Sequence, residues 1–114
     1  MISLTELGEV ELERARETSS GRAAHTIYGG HEHSLRQTLI ALRSGAELAE
    51  HASPGEATLQ VLRGHVRLVN TEDGSKQEMR EGDFLIIPPA FHAVEALDDS
   101  VMLLTVAVNR NRAK

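Results

Sequence analysis

The sequence predicts an all-β fold, a sandwich or barrel of antiparallel strands entered through one short N-terminal helix. From residue 35 the chain breaks into short stretches rich in Val, Ile and Leu: LRQTLIAL, ATLQVL, HVRLV, FLII, HAVEAL and VMLLTVAV. Turn formers separate them, namely Ser44-Gly45, Pro54-Gly55, Gly64, Asp73-Gly74, Gly82-Asp83, Pro88-Pro89 and Asp98-Asp99. Many short strands at spacings of about 8–12 residues are the pattern of sandwiches and barrels. VMLLTVAV is also apolar on both faces, with Val101 and Leu103 on one side and Met102, Leu104 and Val106 on the other. Such a strand needs cover on each side.

At 114 residues the chain has the length of one domain, expected to run over 1–114. Residues 3–18, SLTELGEVELERARET, form the predicted helix. Ser3 followed by Glu6 fits a capping box, in which each side chain satisfies an orphan N–H of the first turn. Leu4, Leu7 and Val10 give it a narrow apolar stripe, Gly8 weakens it, and its acidic first half suits the positive end of the helix dipole. SSGR at 19–22 ends the pattern, and the barrel is expected over about 23–108. Either this helix or a subunit contact must cover the second face of VMLLTVAV. A homodimer is the expected assembly, since two-fold dimers are the commonest.

Composition removes several function classes. With no cysteine there are no disulfides, thiolate metal sites or cysteine nucleophiles. No secretory leader opens the sequence and no apolar run approaches the about 18 residues of a membrane span, so a soluble cytoplasmic protein without membrane partners is expected. A net charge of -5 disfavours nucleic acid, because nonspecific binding needs Lys and Arg to neutralise phosphates. Arg110, Arg112 and Lys114 read as a solvated basic end. The rings are only Tyr28, Phe84 and Phe91, so the core is aliphatic.

The informative residues are six histidines, at 25, 31, 33, 51, 65 and 92. In HASPGEATLQVLRG, residues 51–64, continued alternation would turn positions 51, 53, 57, 59 and 61 toward one interior. His51 would look into a barrel floored by Leu59 and Val61. Five residues separate Gly45 from His51, and Gly64 closes the strand; further on, Gly82, DFLII, Pro88-Pro89 and His92 follow in order. These two runs resemble the two motifs of the cupin family. The first is glycine, five residues, His-x-His, three or four residues, glutamate, six residues, glycine. The second is glycine, five residues, proline, one residue, glycine, two residues, histidine, three residues, asparagine. The resemblance covers about residues 35–108 and implies a jelly-roll β-barrel.

The departures bear on function. Cupin metal sites usually take two histidines and a glutamate from the first motif and a histidine from the second. Those positions hold His51, Ser53, Ala57 and His92. The second motif is one residue short between Ala90 and His92, and its asparagine position is Ala96. Catalytic zinc normally has three protein ligands, and non-haem iron two histidines and a carboxylate. Two histidines fall short of either. A bulge at Pro54-Gly55 would turn Glu56 inward as a substitute. The HEH at 31–33 has the spacing for two imidazoles on one metal, or is the polar entry to the strand at Leu35. His25 and His65 have no spaced partner and read as surface or edge residues.

No GxSxG elbow marks a nucleophilic serine, and no GxGxxG or Walker loop offers a phosphate cradle. Arg36, Gln37, Thr38 and Gln60 fall on strands, either as polar contacts inside a pocket or on the solvent face. An inward Arg36 would favour a carboxylate ligand. The functional expectation is a small organic ligand bound in the barrel, lined by Leu59, Gln60, Val61, Phe84, Ile86 and Phe91, with His51 and His92 as polar contacts. The alternative is a metalloenzyme holding Fe, Mn, Zn or Ni on His51 and His92 with recruited ligands, for which the resemblance implies oxygenase, isomerase or decarboxylase chemistry. Cupins also serve as sensor modules, but this chain has no room for a helix-turn-helix.

Overall fold

The computed structural model describes residues 1–52, 56–88 and 90–108, with the backbone alone for residues 50–52 and Phe91. The one helix among the described residues, α1 (Leu4–Glu17), starts at Ser3, whose Oγ accepts the Glu6 N–H at 3.2 Å. The buried positions are Gly8, Glu11, Leu12 and Ala15 rather than a Leu4–Leu7–Val10 stripe; Leu4 and Leu7 are partly buried and Val10 is exposed. Steps of three fall short of the 3.6-residue turn, so that stripe sweeps around the helix, whereas positions 8, 12 and 15 stay on one side. Gly8 is the close-approach point: a Cβ there would lie 3.1 Å from a Val101 methyl.

Nine strands follow among the described residues: β1 (Arg22–Tyr28), β2 (Leu35–Leu42), β3 (Glu47–Ala52), β4 (Glu56–Arg63), β5 (His65–Asn70), β6 (Lys76–Arg80), β7 (Phe84–Ile86), β8 (Phe91–Ala96) and β9 (Ser100–Ala107). They form a five-stranded sheet, β1-β2-β9-β4-β7, and a four-stranded sheet, β3-β8-β5-β6, with every pairing antiparallel. This is the expected jelly roll, although the sheets are not closed into a continuous barrel. Most apolar stretches read in the sequence became strands. The polar KQEMR of β6 gave no such signal, because this edge strand buries only Met79.

Two cores result. Between the sheets, Ile40, Leu42, Leu59, Val61, Met102 and Val66 pack with inward residues of β8 and β6. On the outer face of the five-stranded sheet, Leu12 and Ala15 of α1 cover Leu39, Ala41 and Val101. The helix therefore supplies part of the second cover that β9 needs, over Val101.

Gly64 turns β4 into β5 at φ +97°, a conformation that favours glycine. A Cβ there would collide with the Asp99 carbonyl and with Ser100, whose Cα would be 2.7 Å away. Buried Ser100 ties the junction together: its Oγ accepts the His65 N–H at 3.0 Å and donates to the Asp98 carbonyl at 2.7 Å. The neighbouring Asp99 accepts the Ser44 N–H at 2.8 Å and pairs with Arg16 at 2.9 Å, holding the helix C-terminus to the sheet.

Candidate functional site

The site lies at one end of the sandwich, where β3 ends and β4 and β8 begin. Across the β3–β8 ladder Leu48 opposes Val94, yet three residues on His51 opposes His92, only two back along β8. One extra residue in β3 forms a bulge there. Without it Leu48 and His51 would fall on opposite faces; with it both take positions opposite inward residues of β8. His92 in turn opposes Asn70 of β5. The register thus sets His51, His92 and Asn70 in one row across three strands, and directly opposed positions share a sheet face.

His92 is 6% exposed. It stands at the wall of a cavity of about 190 Å³ between the sheets, otherwise lined by apolar residues including Ile40, Leu48, Ala57, Leu59 and Leu104. Its Nδ1 is 2.9 Å from the Ala90 carbonyl. A carbonyl only accepts, so Nδ1 carries the proton and donates, which leaves Nε2 as the acceptor of the neutral ring. The shortened second motif therefore still delivers His92 inward. Beyond His92 lies an open polar recess of about 400 Å³, lined in part by Asn70, Ser75 and Lys76. His92 and Leu68 are common to both spaces. In the adjoining turn Asp73 accepts the Ser75 N–H at 2.8 Å, and bonds from the Ser75 hydroxyl and N–H hold its carboxyl below the usual carboxylate range.

The structure corrects several expected lining positions. Leu59 is at the cavity wall, and Val61 is fully buried in the adjoining core. Phe84 and Ile86 are 61% and 72% exposed: Leu85 and Ile87 pack on the core, so strand alternation sends Phe84 and Ile86 outward. Gln60 shares that outer face, opposite Phe84 and Leu103. Glu56 is likewise exposed at the start of β4 rather than turned inward. Residues 53–55, including Ser53 and the Pro54-Gly55 turn, lie outside the described residues, as do the side chains of His51 and Phe91.

The HEH segment takes up contacts of its own. His33 stacks on Tyr28 with ring centroids 4.6 Å apart, its Nδ1 is 3.3 Å from the tyrosine hydroxyl, and its Nε2 is 3.6 Å from Glu32. His31 is exposed in the turn. His25 lies on edge strand β1, 3.9 Å from buried Glu11. His65, read as a surface or edge residue, is on an inner strand and bonds Glu78 at 2.8 Å. Arg36 and Thr38 fall on the inward side of β2, opposite Val106 and Leu104; Arg36 Nε donates to the His33 carbonyl at 3.4 Å. Gln37 faces outward and bonds Thr105 at 3.3 Å. Leu48, Ile87 and Asn70 went unread in the sequence. The β3 bulge hides Leu48's direction, while Asn70 begins the turn NTEDGS, a signal that reports the hairpin but not its place beside His92.

A family model for the cupin domain matches residues 38–108, more than half of the chain. The chain is a cupin. No curated protein matches it significantly. Among solved structures, a conserved protein of unknown function from Streptococcus pyogenes is 26% identical over 81% of this chain and 78% of its own, with TM-score 0.70. A cupin superfamily protein from Desulfitobacterium hafniense is 17% identical over 77% and 78%, TM-score 0.69. Salicylate 1,2-dioxygenase from Pseudoaminobacter salicylatoxidans, solved as adducts with gentisate, is 20% identical over 88% of this chain but 31% of its own, TM-score 0.70. The latter two likenesses concern the fold.

Many cupins hold a metal, and the donor set among the described side chains does not fit one. Among the described side chains His92 would suit it, since an Nδ1–H bonded to a carbonyl is how metal-bound imidazoles are commonly oriented. The position of the first-motif glutamate, however, is Ala57, a methyl in the apolar cavity wall. The recruitable Glu56 is on the outside. Among the described residues no three His, Asp or Glu side chains converge as a metal site.

Proposed function

We propose that this cupin binds a small organic molecule in the cavity between its sheets, by apolar contact with polar anchoring at His92 and without the inherited metal centre. The observation that carries this reading is His92, buried at the wall of an otherwise apolar cavity with Nε2 left to accept a hydrogen bond. Size narrows the ligand. Drug-sized sites span about 300–1,000 Å³, whereas an apolar cavity of about 150 Å³ is enough for benzene. A cavity of about 190 Å³ suits one ring or a short branched chain. A hydrogen-bonding head group would extend past His92 toward Asn70, Ser75 and Lys76. His51, opposed to His92 in the register, is proposed as a second polar contact, and the cytoplasm as the location.

The second reading is a metal-dependent oxygenase, isomerase or decarboxylase using His51 and His92. It is favoured by the orientation of His92 and by the fold likeness to a dioxygenase, and it requires ligands recruited from elsewhere.

Titration calorimetry or ligand-observed NMR with phenol, benzyl alcohol and 3-methylbutanamide tests the first reading. Binding of at least one probe, weakened about tenfold or more in His92→Phe, is the expected result; a buried hydrogen bond lost to an apolar ring accounts for that factor. No binding by any probe, or equal binding in the variant, would count against it.

A further inference from the structure

His92 and Asn70 oppose each other across the β5–β8 ladder, and both line the open recess of about 400 Å³ beyond the cavity. Each offers that space one hydrogen-bonding group whose sense is fixed. The Nδ1 proton of His92 is spent on the Ala90 carbonyl at 2.9 Å, so Nε2 of the neutral ring accepts. Asn70 has the opposite sense. Its Oδ1 is taken by the β5–β6 turn, where it accepts the Glu72 N–H at 2.9 Å and the Asp73 N–H at 3.3 Å. That orientation leaves the amide NH₂ to donate, and among the described residues nothing accepts from it. The Asn70 backbone is spent as well: its N–H donates to the Ser75 carbonyl and its carbonyl accepts the Gly74 N–H, both at 2.8 Å. The two residues therefore set one acceptor beside one donor.

We propose that the ligand of the cavity carries a carboxamide head group, which donates its N–H to His92 Nε2 and accepts the Asn70 N–H on its carbonyl oxygen. This rests on the reading of the cavity given above and adds the chemical class. A primary amide or a lactam holds N–H and C=O on the same side of one planar group, the complement of this pair. Directly opposed residues have Cβ atoms about 4.5–5.5 Å apart, a spacing that lets one head group make both bonds at about 2.9–3.0 Å. Other head groups fail on one side. A ketone gives Nε2 no proton, and an ammonium leaves the Asn70 N–H unmet. A carboxylate sets a second acceptor against Nε2 and brings its charge toward Asp73, which lies close enough to His92 for their charges to interact. A site built to hydrogen-bond one group rejects an analogue lacking it, because its own polar groups are then left unpaired. The apolar tail would lie between Leu59, Leu104 and Val106 of the cavity wall.

Calorimetry or ligand-observed NMR with probes that share one branched tail tests the assignment: 3-methylbutanamide, isobutyl methyl ketone, 3-methylbutanoate and 3-methylbutanamidine. The parent is expected to bind the amide about tenfold or more tightly than each of the others, the factor for one unmet hydrogen bond. Asn70→Asp keeps an oxygen for the Glu72 and Asp73 N–H groups, so the hairpin and the circular dichroism should be retained, but it turns the donor into an acceptor. Its affinity for the amide should fall about tenfold or more, and the amidinium, with two N–H donors on one side, should now bind more tightly than the amide. An amide with no advantage in the parent overturns the proposal, and so does a folded Asn70→Asp that still prefers it. Phenol and benzyl alcohol separate this failure from that of the cavity itself. If they bind in a His92-dependent way while the amide has no advantage, the head group is wrong and the cavity stands; if no probe binds, both readings fall.

Discussion

Replacing Ala57 by leucine tests whether the space between the sheets is a genuine cavity at the position assigned to it. Ala57 is buried in the cavity wall, opposite Val106 of β9, with about 190 Å³ of open space in front of it. Leucine adds three carbons, and since about 150 Å³ accommodates the six of benzene, they fit without displacing the walls. At about 0.8 kcal/mol per buried methylene the gain approaches about 2.4 kcal/mol. Fixing the leucine rotamer returns about 0.5–1 kcal/mol of that. A net stabilisation of about 1.5 kcal/mol is expected, raising Tm by roughly 5 °C or more in a domain of this size. The same side chain should exclude phenol and 3-methylbutanamide, so calorimetry should lose their heat while the melting curve moves up. Destabilisation of Ala57→Leu by more than about 1 kcal/mol, the mark of overpacking, or retained probe binding would refute the reasoning.

Two further outcomes follow from the junction below the site. Gly64→Ala should cost about 3 kcal/mol or more, from left-handed strain added to the collision with Asp99 and Ser100; a urea midpoint within error of the parent would show that the β4–β5 turn is not built as described. Asp99 has its pKa lowered by the Ser44 N–H, with Arg16 adding to the effect. A depressed carboxylate contributes stability that is complete above its unfolded value, near 3.8, and is lost as pH falls through the folded value below it. Urea titrations from about pH 7 to about pH 2.5 should therefore find Asp99→Asn less stable than the parent at the upper end, with the gap closing below pH 3.8. A gap that is constant across that range would contradict the assignment.

The fold was legible where one physical rule governed a segment. β2 and β9 alternate without a break in register, and the second cover that VMLLTVAV was expected to need is supplied by the helix over Val101. The helix could be placed by Ser3 but not oriented, because Gly8, which lets it approach β9, carries no hydrophobic signal. Ser53 and Ala57 could be read directly as departures at two of the four inherited ligand positions. The site was less legible, because its making depends on departures from alternation. A single extra residue in β3 decides that His51 opposes His92, and nothing in ELAEHA announces it. Phe84 and Ile86 were placed inside because large apolar residues usually belong there. Leu85 and Ile87 hold the inward positions instead, and the sequence FLII is equally apolar in either phase.

The central claim, that the cavity accepts a small molecule through apolar walls and His92 without a metal, is tested most directly by one titration. The protein, purified without an affinity tag, is dialysed against EDTA, and probe binding is measured before and after adding Fe, Mn, Zn or Ni. The account predicts the same Kd for phenol or 3-methylbutanamide in every sample, with no near-stoichiometric metal retained. Binding that appears only after a metal is restored, and is lost again in both His51→Ala and His92→Ala, would contradict it.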